Sequence, residues 1–178
     1  MRLSRWMLLT PLVAGTVAVA TGCGSTPSLG SGFMSVNSAT KTVTFKVVAG
    51  YTTTNDYLNY DGYANGNMTI TVPVGYHVKL DYYNNGGVPA DLGIYNNQDQ
   101  LAFSGAGDSI QNINLNPQPG IPPGGSETIS FTPTQAGTFK MANYENRFPT
   151  MHPRYHDVGM WDVFKVVQSG SPSIGPTS

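Results

Sequence analysis

Seven short stretches of this chain alternate apolar and polar residues with a period of two, and none is long enough, or suitably spaced, to make an amphipathic helix. In TVTFKVV, Val43, Phe45 and Val47 alternate with Thr42, Thr44 and Lys46. NMTITVPV repeats the pattern with Met68, Ile70 and Val72, and YHVKLDYY with Val78, Leu80 and Tyr82. A side-chain period of two is that of a strand with one buried face. ADLGIY, ETISFTP, TFKMANY and WDVFKVV are shorter candidates, and NNGG, PQPGIPPGG and TQAG between them are turn chemistry. Many short strands punctuated by Gly, Pro and Asn imply an all-β antiparallel sandwich or barrel.

The amino terminus sets the compartment. MRLSRWMLLTPLVAGTVAVATGC carries Arg2 and Arg5, then an apolar run from Trp6 to Ala20 that is short for a membrane span and interrupted by Pro11. This pattern predicts a secretory signal over residues 1–23 and an exported protein. Cys23, the only cysteine, follows Ala20-Thr21-Gly22 and resembles the lipobox cysteine of bacterial lipoproteins, with Ala20 where that motif usually has Leu. The resemblance implies lipidation of Cys23 and attachment to the membrane on its extracytoplasmic side; cleaved secretion and an uncleaved anchor are the alternatives. Residues 24–37 and 169–178, rich in Gly, Ser and Pro, read as a flexible tether and a flexible tail around one domain at 38–168. Beyond the signal the chain has seven Lys+Arg against ten Asp+Glu, a net charge of −3, and no basic face for nucleic acid.

Two segments carry a family resemblance. Leu58–Tyr95, LNYDGYANGNMTITVPVGYHVKLDYYNNGGVPADLGIY, resembles the amino-terminal half of the sulfocyanin-like cupredoxins. GGSETISFTPTQAGTFKMANY and HDVGMWDVFKVV are similar to the strand, AG turn, strand, ligand loop and final GMW strand of many cupredoxins. The resemblance implies a cupredoxin-like Greek-key β-sandwich. It also implies a copper held by an early histidine after a proline, then a cysteine, a second histidine and a methionine from the late loop.

Carried over residue by residue, that ligand set is incomplete. The early histidine falls on Ala90, after Pro89, and the cysteine on Asn143, which alternates with Phe139 and Met141 on one strand face. His156 and Met160 stand for the second histidine and the methionine. Without a thiolate no blue charge-transfer band arises.

The inserted loop ANYENRFPTMHPRYHDVGM leaves three readings. In one, Met151, His152, His156 and Met160 rebuild a pale copper site, helped by Glu145 or Asn143, with Asp157 or Tyr155 orienting an imidazole. It suits copper handling outside the cytoplasm, serving a respiratory oxidase or other redox partner. His152 and His156 are four apart and share a face only in a helix, of which Pro153 allows just the first turn. Because His156 and Met160 read as loop residues, replacing both by Ala is expected to abolish copper binding and spare the fold. In the second reading no metal binds, and Met160 and Met141 are core. In the third, the Tyr- and Asn-rich stretches NYDGYANGN and DYYNNGG form a contact surface of an accessory subunit. His77 shares the polar face of its strand with Lys79 and Asp81 and is set aside. An enzyme is the weakest reading: Ser126 and Glu127 in SETIS read as a strand edge, and Asp157 and Asp162 make no acid pair.

Overall fold

The computed structural model describes residues 29, 32–107, 120–148 and 151–178, without the side chains of 146–148 and 151–153. The signal, Cys23 and half of the tether lie outside the described residues. No α-helix occurs among those described, and none of their elements is a helix able to cross a membrane.

Among the described residues eleven strands follow one another: β1 Met34–Asn37, β2 Thr42–Ala49, β3 Met68–Pro73, β4 His77–Asn84, β5 Gly93–Tyr95, β6 Ser126–Phe131, β7 Gly137–Ala142, β8 Asn146–Phe148, β9 Met151–Arg154, β10 Trp161–Val167 and β11 Ser173–Pro176. One sheet has the order β1-β2-β4-β6, the other β11-β3-β10-β7-β5, and β8-β9 is a separate hairpin. The β-sandwich expected from the alternation is present, and each of the seven alternating stretches contains one of its strands.

Two pairings depart from the antiparallel expectation. β2 runs parallel to β4 and β3 parallel to β10. Consecutive strands here switch sheets, so β2 and β4 are joined through β3 on the opposite layer, and two strands of one sheet linked that way run in the same direction. The tether and the tail also differ from expectation. Met34–Asn37 pairs antiparallel with β2, and Ser173–Pro176 pairs with β3. Neither segment alternates strongly enough to read as a strand, because each is an edge with no fully buried side chain.

The inward faces meet in one core. Val43, Phe45 and Val47 from β2, Val78 and Leu80 from β4, and Met68, Ile70 and Val72 from β3 are fully buried. Each such side chain contributes roughly 1.5–3 kcal/mol by leaving water. Phe103, Phe131, Phe139 and Phe164 make a ring-on-ring layer with centroid separations of 4.9 to 5.8 Å. His77 is exposed on the polar face of β4, as its register predicts.

Candidate functional site

The loops after β2, β4 and β7 and the segment before β10 gather at one end of the sandwich. Alternation along β7 carries past its end: Met141 and Asn143 are buried inward, while Ala142 and Tyr144 pack on the opposite face with Tyr95. Asn143 is therefore in the inward position that the sequence assigns to a ligand. Its backbone ties the late loop together, since Asn143 N–H donates to Met160 O at 3.2 Å and His156 N–H donates to Asn143 O at 2.7 Å.

Both ends of its side-chain amide are engaged. Asn143 Nδ2 donates to Met160 Sδ at 3.4 Å, and Asn143 Oδ1 accepts from Glu145 N–H at 2.9 Å. Met160 is 2 % exposed and belongs to the core. The expectation that it is a dispensable loop residue is thus corrected: removing its side chain hollows the core. Met160 N–H also donates to Tyr155 O at 3.1 Å, which folds the segment back beneath the hairpin.

His156 faces elsewhere. Met151–Arg154 is extended and His156–Val158 is a single 3-10 turn, so His152 and His156 do not share a helical face. The imidazole stacks on Tyr144, on the outer side of the sheet, at 4.6 Å and 12°. Its Nδ1 lies 3.2 Å from Asp157 Oδ1, the partner that the sequence nominated for it. Burial, the largest influence on Asp157, would raise its pKa; the Arg154 N–H, His156 and the Arg154 guanidinium together hold it below the usual value. The Arg154 guanidinium lies 4.5 Å over the Tyr144 ring and 3.6 Å from Asp99 Oδ2, and Tyr144 Oη donates to Asp99 Oδ1 at 2.5 Å. Burial, with Asp99 after it, pushes the Tyr144 hydroxyl above its ordinary pKa. Sequence reading missed Tyr144, Arg154 and Asp99. Strand alternation places Tyr144 opposite Asn143, but nothing in the sequence pairs it with Asp99.

Met151 and His152 lie on β9, their side chains outside the described residues; the backbone hairpin β8-β9 brings this strand back toward Asn146. Ala90 is 3 % exposed and exchanges backbone hydrogen bonds with Ile121 at 3.1 and 2.9 Å. Asn84 braces the loop leading to it, donating to Val88 O and Ile121 O at 2.8 Å each and accepting from Gly86 N–H at 2.9 Å. Glu145 is 7 % exposed, its Oε2 has no hydrogen-bond partner, and burial, then Asp91, raises its pKa to about 8. Ala90 and Met160 both line an open depression of about 800 Å³.

The side chains at the four family positions do not fit a blue copper centre. Ala90 offers no donor atom, Asn143 spends its amide on Met160 and Glu145, and the His156 ring stacks on Tyr144. Among the described residues no three His, Cys, Asp or Glu side chains group to hold a metal.

Comparison with known proteins agrees with the fold. The model of the sulfocyanin (SoxE) domain matches residues 30–169. A multi-copper oxidase from Pseudomonas thermotolerans superposes with a TM-score of 0.52 at 16 % identity, over 76 % of this chain and 31 % of that one. The chain thus spans about a third of that oxidase, and the likeness shows the fold alone. Auracyanin from Roseiflexus castenholzii has a TM-score of 0.44 at 19 % identity, over 70 % of this chain and 96 % of that one. Auracyanin B reaches 0.46 at 20 % identity, over 74 % and 93 %. No curated protein sequence matches the chain.

Proposed function

The chain belongs to the sulfocyanin family, and from that premise we propose that it binds and handles copper outside the cytoplasm through a His/Met site that is not a blue centre. The observation that supports this is the His156–Asp157 contact at 3.2 Å. A carboxylate on Nδ1 fixes the tautomer and leaves Nε2 as the ligand atom, which is how metal-binding imidazoles are generally oriented. His152 and Met151, from the adjacent hairpin, are the proposed co-ligands, and Met160 is reached only if its bond from Asn143 gives way. Copper in such a site supplies a soft, exchangeable centre suited to transfer between proteins, not a strongly coloured electron carrier. The protein itself is read as non-catalytic. A lipid on Cys23 would hold it at the outer face of the membrane, within reach of a respiratory oxidase or another redox partner.

Titration of the full chain with Cu(I) and Cu(II) against competing chelators tests the site. The expected result is one-to-one binding without an intense visible band, weakened at least tenfold by His156→Ala and by His152→Ala. Binding at the chelator background would sink the copper reading.

A second reading has its own observation. Asn143 and Met160 are bonded to each other inside the core, and Tyr57 and Val88, 54 % and 40 % exposed, line the same depression as Met160. A domain whose copper position is filled by its own side chains can serve as a metal-free accessory subunit. Failure of copper binding together with recovery of a stable complex from solubilised membranes would establish that role.

A further inference from the structure

The depression beside Ala90 is walled by the 50–58 segment, the 84–90 loop and residues 155–160. Its floor is apolar: Leu58, Val88, Ala90, Val158 and Met160 line it, and Asp56 is the one charged residue among the lining. One wall is built in an unusual conformation. Asn55, Asp56 and Tyr57 are consecutive left-handed residues with φ of 50°, 53° and 65°. Asn and Asp tolerate that region, whereas a bulky residue such as Tyr seldom enters it.

The surrounding bonds hold the wall in place. Asn55 Nδ2 donates to Leu58 O at 2.8 Å and across the depression's edge to Val158 O at 3.0 Å. Asn59 Nδ2 donates to Thr52 O at 2.8 Å and Thr54 O at 2.7 Å. Four side-chain hydrogen bonds thus maintain a strained turn whose product is a half-exposed tyrosine at the rim of an apolar hollow. Strain of this kind concentrates at ligand clamps and other functional sites. Ala90, where the family resemblance expects an imidazole, leaves the hollow open down to Met160.

We propose that this depression is a binding site for a flat, uncharged, largely apolar organic molecule, seated over Ala90 and Met160 against the Tyr57 ring. Its volume of about 800 Å³ lies within the range of small-molecule pockets, and an apolar lining with a few amide groups is their usual composition. Asp56 at the rim disfavours an anion. A flat ligand suits the aromatic ring that this backbone places at the rim. The proposal does not rest on copper.

The test uses the full chain, in excess chelator, titrated with the neutral dye 1-N-phenylnaphthylamine, whose fluorescence rises in apolar surroundings. The expected result is saturable one-to-one binding, weakened at least tenfold by Val88→Asp, a change at an exposed position that the fold tolerates. Tyr57→Gly should weaken binding several-fold while raising the thermal midpoint by roughly 2–4 °C, because glycine adopts positive φ freely. Absence of saturable binding overturns the site. So does equal binding by both variants, and a lowered midpoint for Tyr57→Gly removes the strain on which the clamp depends.

Discussion

Asp61 gives the sharpest check on the electrostatics of this core. It sits at φ 53° in the Asp-Gly turn of NYDGYANGN, is 3 % exposed, and pairs with Val48 in both directions. Val48 N–H donates to Asp61 Oδ1 at 2.8 Å and Asp61 N–H to Val48 O at 2.9 Å. Oδ2 is buried with no hydrogen-bond partner. Burial is the largest influence and raises the pKa from 3.8 to about 7, against smaller lowering by the Val48 bond and Lys46. A carboxyl with a raised pKa stays protonated in the folded state while the unfolded chain has already released its proton. Stability contributed by Asp61 is therefore complete below about pH 4 and declines as pH rises to about 7. The full difference of about three pH units corresponds to at most ~4 kcal/mol. Asp61→Asn keeps the left-handed backbone and an oxygen for Val48 N–H but cannot ionise. Urea unfolding of parent and variant at pH 5 and pH 8 separates the cases. The variant should gain on the parent by about 1–4 kcal/mol between the two pH values, a part of it through Asp162, whose raised pKa of about 8 owes something to the Asp61 charge. If the two proteins keep the same stability difference at both pH values, Asp61 does not titrate in this window and the buried-acid reasoning is wrong.

Met160→Ala should cost about 2–5 kcal/mol in urea unfolding and Met160→Leu less than about 1.5, since the thioether is core; equal, small losses would place it outside. Gly66→Ala should destabilise by about 2–3 kcal/mol, because a methyl at φ 76° meets the Trp161 ring at 2.6 Å; calorimetry showing no loss would contradict that packing. Ala90→His with Asn143→Cys should give a strong visible band on adding Cu(II), which the parent lacks, because the thiolate would stand beside Met160. A colourless double variant would show that side chains at 90 and 143 do not reach one copper while His156 stays stacked on Tyr144.

Most of the sandwich is legible because a half-buried strand writes its burial into the sequence. The inward set of β4, Val78, Leu80 and Tyr82, is the set that alternation names, and its outward set is exposed. β1 and β11 are illegible for the same reason in reverse: an edge strand without a fully buried face leaves no period to find. Parallel pairing of β2 with β4 is set by which layer β3 occupies, a relation between segments that no local pattern encodes. At the site, the inward aim of Asn143 follows from the β7 period. The turn of His156 onto Tyr144 does not, since it depends on the 3-10 turn after Tyr155 and on Arg154 and Asp157 meeting around the ring.

The bonds that shape the late loop explain how a ligand set can change while the fold stays. Asn143 N–H to Met160 O, His156 N–H to Asn143 O and Met160 N–H to Tyr155 O are all backbone contacts, indifferent to the side chains they join. A thiolate or an amide at 143 leaves this scaffold equally well bonded. What the amide alters is local, because a donor now faces the thioether at 3.4 Å where a metal–sulfur bond would otherwise lie. A buried polar side chain has to be satisfied by something. In this chain Met160 and the Glu145 amide satisfy Asn143, so the core needs no metal to close, while the ring of His156 is turned to the other face. The position of His156, outside that closed centre with Asp157 on its Nδ1, follows from the same division.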